Sequence, residues 1–231
     1  KELPEVITEV IKIPITNKRD IKKATDDLIQ FLKDTKGEEA AEAAEEAEHL
    51  VALGVLRKLS IEGKIKAIET YIKEWSQSDD KLLIFGLHRE PLDYLSEKFK
   101  SPLIAGGVSS KQKQKMVNDW KTSDKQFMFA NIESAGTGVD GLQDVCSNMI
   151  IIELPWRPSD LWQVIGRLDR SGQKISPNIK YLLSEDTIDM QMWDMLQDKE
   201  EVITAVNKGI DIKKSESGMR AVMRKLRKKK K

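Results

Sequence analysis

Two arginines three residues apart, Arg167 and Arg170, stand in the run Gln163, Val164, Ile165, Gly166, Arg167, Leu168, Asp169, Arg170, Ser171, Gly172, Gln173. A guanidinium is planar, permanently charged and donates hydrogen bonds in a fork that matches phosphate oxygens, so such a pair can stabilise charge that develops in phosphoryl transfer. The apolar pattern predicts a helix over 159–168. Residues three apart share a helical face, which would let both side chains converge on one anion. The same two arginines could instead be surface charges that favour the dipole of a helix C-terminus, and spacing alone favours that simpler role.

A second stretch lies just after a predicted strand: Ser134, Ala135, Gly136, Thr137, Gly138, Val139, Asp140, Gly141. Glycines at 136 and 138 would let backbone amides approach a phosphate or a neighbouring element, and Asp140 could hold a ribose hydroxyl or a cation. A glycine-rich turn after a strand is usually only a turn. Three lysines, Lys111, Lys113 and Lys115, alternate behind Gly107 and Ser109. They could grip a nucleic-acid backbone, although each lysine taken singly reads more simply as part of a solvated basic face.

The elements that must position these residues follow from periodicity. Residues 6–15 are rich in β-branched side chains and carry Pro4 and Pro14 at their margins, which predicts a short edge strand. A helix is expected over 17–34, with Ile21, Ala24, Leu28, Phe31 and Leu32 on one face and Gly37 interrupting. All residues from 38 to 48 are Glu or Ala, a second helix with little to bury, followed by Leu50, Leu53 and Leu56. A third helical pattern follows Ser60, with Ile65, Ile68, Ile72 and Trp75 on its stripe.

After Asp79 the pattern becomes an alternation of strands and helices. Strands are expected at 81–87, 102–105, 126–130, 148–154 and 178–183, and helices at 91–99, from Ser109 to Trp120, and at 159–168. Ser109 with Gln112 fits a capping box. Thr187 caps a last helix carrying Ile188, Met192, Met195, Leu196 and Val202, which Gly209 would stop. The fold class expected is α/β, a parallel sheet with helices on both faces plus an N-terminal, mainly helical appendage. The division expected is 1–80 as a helical lead-in, 81–210 as the α/β lobe and 211–231 as a basic, disordered tail.

Composition bounds the function. The 231 residues are 39% hydrophobic and 33% charged, enough for a real core and far from a disordered chain. The longest aliphatic strings, such as Met149 to Ile152, are too short for a membrane helix, and the first residues do not resemble a secretion signal. A soluble, intracellular protein is expected, in cytoplasm, nucleoid or nucleus. The single cysteine, Cys146, excludes an internal disulfide, and with only His49 and His88 beside it a structural zinc site would lack ligands. No catalytic role is assigned to these three residues. The net charge of +1 hides an acidic body, −8 over residues 1–212, and a basic tail, +9 over 213–231. That tail could lend salt-sensitive affinity for nucleic acid or a nuclear address.

Taken together, the two chemical stretches resemble the fifth and sixth motifs of superfamily-two helicases, and specifically of the Swi/Snf (Snf-two) family of DNA-dependent ATPases. That sixth motif looks like Gln-x-x-x-Arg-x-x-Arg-x-Gly-Gln, matched in order by Gln163, Arg167, Arg170, Gly172 and Gln173. Leu82, Leu83, Ile84 and Phe85 resemble the fourth-motif strand. Gly106 and Gly107 through Lys113 to Trp120 resemble the segment after it, and Leu154, Pro155, Trp156 and Pro158 the approach to the sixth motif. The resemblance is closest to the annealing-helicase (HARP-like) branch. Asp169, Glu133, Lys113 and Leu87 depart from the family pattern, which usually has histidine at the first, arginine at the next two and glutamine at the last.

The resemblance implies a C-terminal RecA-like lobe of a two-lobed motor. By it, Arg170 is the arginine finger, Arg167 a γ-phosphate partner, and Gly136, Gly138, Asp140 and Gln163 belong to the nucleotide side. Gly107, Ser109, Lys111, Lys113, Lys115 and Trp156 form the DNA side, although packing is the ordinary expectation for Trp156 and Trp162. Double-stranded DNA and an N-terminal RecA-like lobe carrying the Walker motifs are the implied partners. ATP and Mg2+ would be held mainly by that other lobe, because this sequence has neither a Gly-x-x-x-x-Gly-Lys-Ser/Thr loop nor an acidic strand end. The acidic run Glu45, Glu46, Ala47, Glu48, His49 lies inside the Glu/Ala helix and is no substitute. The chain alone is expected to be nearly inactive. A non-catalytic nucleic-acid or partner-binding module is the alternative, and an RNA helicase lobe a third reading.

Overall fold

A computed structural model describes residues 3–27, 30, 34, 38–135 and 138–207, with backbone only for 38–50 and 200–207. Its contacts separate into two compact units. Among the described residues, one comprises 3–13 with 65–183, and the other 14–64 with 184–207.

The first unit is a six-stranded sheet. Its strands are β1 (Ile7–Lys12), β2 (Leu82–Gly86), β3 (Leu103–Ile104), β4 (Phe127–Asn131), β5 (Asn148–Ile151) and β6 (Asn178–Leu183). All pairings are parallel, in the order β1-β6-β5-β2-β4-β3. Parallel strands need crossovers that cover the faces, so their side chains are buried on both sides and read as continuous apolar runs. Leu82, Leu83, Ile84 and Phe85 are fully buried, as are Met149, Ile150 and Ile151. β1 pairs only with β6 and lies largely exposed at the edge, as its composition predicts.

The crossovers are helical. Among the described residues the helices are, in chain order, α1 (Lys18–Asp26), α2 (Glu38–Trp75), α3 (Arg89–Lys98), α4 (Ser110–Thr122), α5 (Ile132–Ala135), α6 (Pro158–Ile165) and α7 (Ile188–Asn207). A 3-10 turn, Leu142–Asp144, precedes β5. The capping box is present: Ser109 Oγ accepts the Gln112 amide, and the Gln112 side chain accepts the Ser109 amide. α4 buries Val117 and Trp120, and Lys81 sends its ammonium to the carbonyls of Trp120, Ser123 and Lys125 at 2.8–3.0 Å. That satisfies the orphan carbonyls beyond the helix. The next crossover starts with Pro158 in the first turn of α6, where its missing N–H costs nothing.

Several sequence expectations need correction. The Glu/Ala helix and the pattern after Ser60 are one 38-residue helix, α2, because good helix formers outweigh Gly54 and Gly63. Gly63 has its own reason to be there: a Cβ would collide with the Asn17 side chain, whose Nδ2 donates to the Leu59 carbonyl at 2.8 Å. The helix expected over 17–34 is described as α1 to Asp26, and Leu28, Phe31, Leu32 and Gly37 lie outside the described residues. So do Gly209 and the whole basic tail; the side chain of Val202 lies outside them too. The correction to the helix bearing the arginines belongs to the site below.

The second unit is knit by a buried polar group. Thr187 Oγ1 accepts the Asp189 amide at 3.1 Å, capping α7 as its position suggests. Asp189 in turn accepts from Lys64 Nζ at 2.7 Å, Ser60 Oγ at 2.8 Å and the Ser184 amide at 3.1 Å. The Lys64 side chain is wholly buried. Removing one partner of a buried ion pair leaves a desolvated charge, so Asp189→Ala should lower the stability of this unit by about 3–5 kcal/mol. Urea unfolding followed by circular dichroism measures it; a loss under about 1 kcal/mol would mean the pair is not buried in solution.

Candidate nucleotide and nucleic-acid site

The sheet ends at its carboxyl edge in a set of polar clamps. Chain order reverses between β2 and β5, the kind of point where open α/β sheets form crevices. There Glu153, buried to 5% exposure, accepts the amides of Leu87 at 2.8 Å and His88 at 2.9 Å and pairs with His88 Nδ1. Burial alone would raise the Glu153 carboxyl, but the bond and charge of His88, with the two amides, hold it below its ordinary value. Asn131, ending β4, donates to the Leu87 carbonyl at 2.6 Å and accepts from the Ser134 amide at 3.1 Å. Neither Glu153 nor Asn131 was singled out from sequence. Glu153 corrects the reading that the sequence has no acidic strand end: it closes the apolar run Met149–Ile152, and its carboxylate is engaged by backbone amides and His88.

From Ser134 the clamps lead to the glycine-rich loop. Lys113 is buried, and its Nζ donates to the Ser134 carbonyl at 2.6 Å. Its grouping with Lys111 and Lys115 is therefore corrected: the Lys113 side chain is buried, and its charge is spent on the Ser134 carbonyl in α5. Lys111 is exposed, and Lys115 is exposed and paired with Asp119 at 2.8 Å. Gly107 and Ser109 are exposed as well.

Gly138 has φ +72°, and a Cβ there would sit 2.8 Å from Ser110 Oγ, so the loop approaches the start of α4 as closely as it does because residue 138 has no side chain. Gly136 lies outside the described residues. Asp140 is joined to α4 by two bonds of 2.9 Å, its amide to Gln114 Oε1 and its carbonyl to Gln114 Nε2. Gln114 was not foreseen, since a glutamine on an amphipathic helix carries no distinguishing signal.

α5 packs against α6, which brings the arginines to this loop. α6 ends at Ile165, so Arg167 and Arg170 do not share a helical face. They stand in consecutive tight turns, with the Arg167 amide on the Val164 carbonyl, that of Arg170 on Leu168 and that of Gln173 on Arg170. The convergence expected from a helix is supplied instead by the loop. Arg167 Nη1 donates to the Val139 carbonyl at 2.7 Å, and Arg170 Nη1 lies 2.9 Å from Asp140 Oδ1. Burial, and then the charge of Arg170, lower the Arg167 guanidinium's pKa, opposed by Asp140. Arginine keeps its charge through such shifts, so two like charges stand side by side over one carboxylate. The Arg170 side chain is 36% exposed and that of Asp140 68%.

The remaining candidates are distributed around this point. Gln163 is exposed on α6, and Trp156 is half-buried before it. Trp162, for which packing is the ordinary expectation, is 41% exposed. Gln173, the last residue of the arginine motif, is buried, and its amide bonds the Cys146 and Leu168 carbonyls. Burial pushes the Cys146 thiol up to about 12, so it stays protonated and unreactive at neutral pH. Among the described residues no group of three or more His, Cys, Asp or Glu gathers that could hold a metal ion.

Residues 63–172 match the family model for the helicase conserved C-terminal domain. The human DNA annealing helicase and endonuclease ZRANB3 is 34% identical over 146 residues, 60% of this chain and 13% of that protein. The SWI/SNF-related matrix-associated actin-dependent regulator of chromatin subfamily A-like protein 1 of Xenopus tropicalis is 30% identical over 159 residues, 66% of this chain and 17% of that protein. The crystal structure of the C-terminal part of the Fun30 ATPase domain shares the fold, with a TM-score of 0.60 at 14% identity, covering 91% of this chain and all of that one. Residues 63–172 are thus similar to a helicase C-terminal domain, and the fold is the RecA-like α/β arrangement of the Fun30 structure. The printed names of these relatives, a DNA annealing helicase and a SWI/SNF-related regulator, agree with the resemblance read from the motifs. The chain spans about 13–17% of the length of these two curated relatives.

Because Glu153 is depressed in the folded state, its contribution to stability is complete above the ordinary carboxylate value of 4.5 and is lost as pH falls through the folded value. Glu153→Gln should cost about 1–3 kcal/mol at pH 7 and show a shallower loss of stability below pH 4.5 than the parent. Urea midpoints from pH 7 to about pH 3 measure both; parallel curves for the two proteins would contradict the clamp.

Proposed function

We propose that this chain is the second motor lobe of an ATP-dependent translocase of double-stranded DNA. The observation that carries the reading is the meeting of Arg167, Arg170 and the 138–141 loop at one partly exposed point, with α4 attached to the same loop. The division proposed is a helical lead-in over 1–80, the motor lobe over 81–210 and a basic tail over 211–231 adding salt-sensitive affinity for nucleic acid.

In this reading ATP with Mg2+ is held mainly by a first RecA-like lobe carrying a Walker loop. Arg170 acts as the finger. In this chain it rests on Asp140, and an arriving γ-phosphate, with more charge and more acceptor oxygens, draws it across. Arg167 stays on the Val139 carbonyl and adds positive potential at the same point. Gly138 lets the loop lie close to the nucleotide, Gly136 is assigned to the same nucleotide side, and Gln163 faces it from α6. Gly107, Ser109, Lys111 and Lys115 grip the DNA backbone from α4 and its approach, with Trp156 beside the sixth motif. Lys113 serves that grip by fixing the loop from below. Closure on the triphosphate and opening after hydrolysis alternate the grips of the two lobes, which moves the duplex. Relatives named as DNA annealing helicases favour duplex DNA as the partner and a DNA-containing compartment.

The test is to mix the chain with a matching lobe that bears the phosphate loop. ATP turnover stimulated by duplex DNA should appear. Arg170→Ala should reduce it by about 10³-fold or more while leaving ATP affinity within a few-fold. Full turnover in that variant refutes the finger. No turnover in any mixture favours a non-catalytic binding module, and stimulation by RNA in place of DNA favours the RNA helicase reading.

A further inference from the structure

We propose that Gln114 is a positioning residue that carries movement of α4 into the orientation of Arg170, an assignment that rests on the motor reading above. Arg170 sits in a turn rather than a helix, so its direction depends on what holds its guanidinium, and the group that holds it is the Asp140 carboxylate at 2.9 Å. Asp140 itself stands outside any helix or strand, between Gly138 and Gly141, both with positive φ. Its Oδ1 also accepts the Gly141 amide at 2.7 Å, so the direction of the carboxylate follows its own backbone, and on such a segment that backbone has many orientations unless it is held.

Gln114 fixes it from both sides. Its Oε1 accepts the Asp140 amide and its Nε2 donates to the Asp140 carbonyl, each at 2.9 Å, so the side-chain amide reads one residue's peptide groups as a neighbouring strand would. The second hydrogen of Nε2 goes to Asn118 Oδ1 at 3.1 Å, one helical turn on. An amide with both donors and its acceptor engaged has a single orientation, because a flipped amide would set donor against donor at the Asp140 amide. The chain of contacts is short: α4, Gln114, Asp140, Arg170. Lys121 of α4 also reaches this region, pairing with Asp144 at 2.5 Å, but Gln114 alone bonds the backbone of Asp140 among the described residues. Lys113 holds Ser134, upstream of the loop, and Arg167 holds Val139 from the arginine side.

A shift or rotation of α4 on nucleic acid therefore displaces Asp140 through a rigid two-bond contact and alters the hold on Arg170. Gln114 touches neither nucleotide nor DNA in this scheme, and its loss changes how the finger is presented, not how ATP is bound.

The test compares Gln114→Leu, which keeps the shape of the stem and removes both bonds, with Asp140→Asn and the double variant, each joined with a phosphate-loop lobe. Gln114→Leu should lower kcat with duplex DNA about tenfold, the equivalent of one lost hydrogen bond, with KM for ATP and the thermal midpoint unchanged. The double variant should fall no further than Asp140→Asn alone, since both act on one contact. Unchanged kcat, a rise in KM in place of the fall in kcat, or additive losses would overturn the proposal. Amide exchange in the full chain alone decides it independently of the motor. The Asp140 amide should exchange about tenfold faster in Gln114→Leu, while that of Val117 inside α4 keeps its rate. An unaltered Asp140 rate overturns the role of Gln114 even if the motor is active. If the unmodified chain gives no DNA-stimulated turnover while Asp140 exchange accelerates, the motor reading fails and the contact stands.

Discussion

A guanidinium carried partly out of water must keep its charge and must find acceptors. Arg167 meets that requirement with the Val139 carbonyl, and Arg170, further out, with the Asp140 carboxylate. Those two contacts join the turn after α6 to the loop after α5, segments about thirty residues apart in the chain that no regular secondary structure would bring together. The rest of the lobe can be understood as the support that makes the junction possible. α5 lies against α6, Lys113 fixes the start of the loop, and Gly138 has no side chain to hold α4 away.

The sheet supplies rigidity through burial. Four inner strands of apolar side chains, covered on both faces, leave little freedom to the carboxyl edge from which the loops depart. At that edge the polar groups are satisfied by side chains from neighbouring strands. Glu153 closes the start of the segment after β2, and Asn131 reaches from β4 to the same segment and to Ser134. These bonds hold the origins of the loops in place at the edge of the sheet. The arginine turns, by contrast, stay partly exposed, as a group that must meet a ligand has to be.

The sequence was informative where one residue type does one physical job. Continuous aliphatic runs alternating with amphipathic helices specified a parallel sheet, and the edge position of β1 followed from its prolines and β-branched residues. The capping box at Ser109 and the cap at Thr187 were legible because each is a local exchange of hydrogen bonds within a few residues. The arginine motif was legible as a pattern of residue types. Its geometry was not, since the helix assumed for it ends two residues before Arg167.

What the amino-acid order determined by itself, then, was the class of fold, the local caps and the set of residue types at the site. Tertiary structure alone decided which lysine of α4 turns inward, that Gln114 clamps Asp140, and that the two arginines meet over one loop instead of along one helix. The reason is one of range. Periodicity and capping are settled among residues a few positions apart, whereas the partner of a buried ammonium or a half-buried guanidinium is chosen among groups that only the folded sheet makes neighbours.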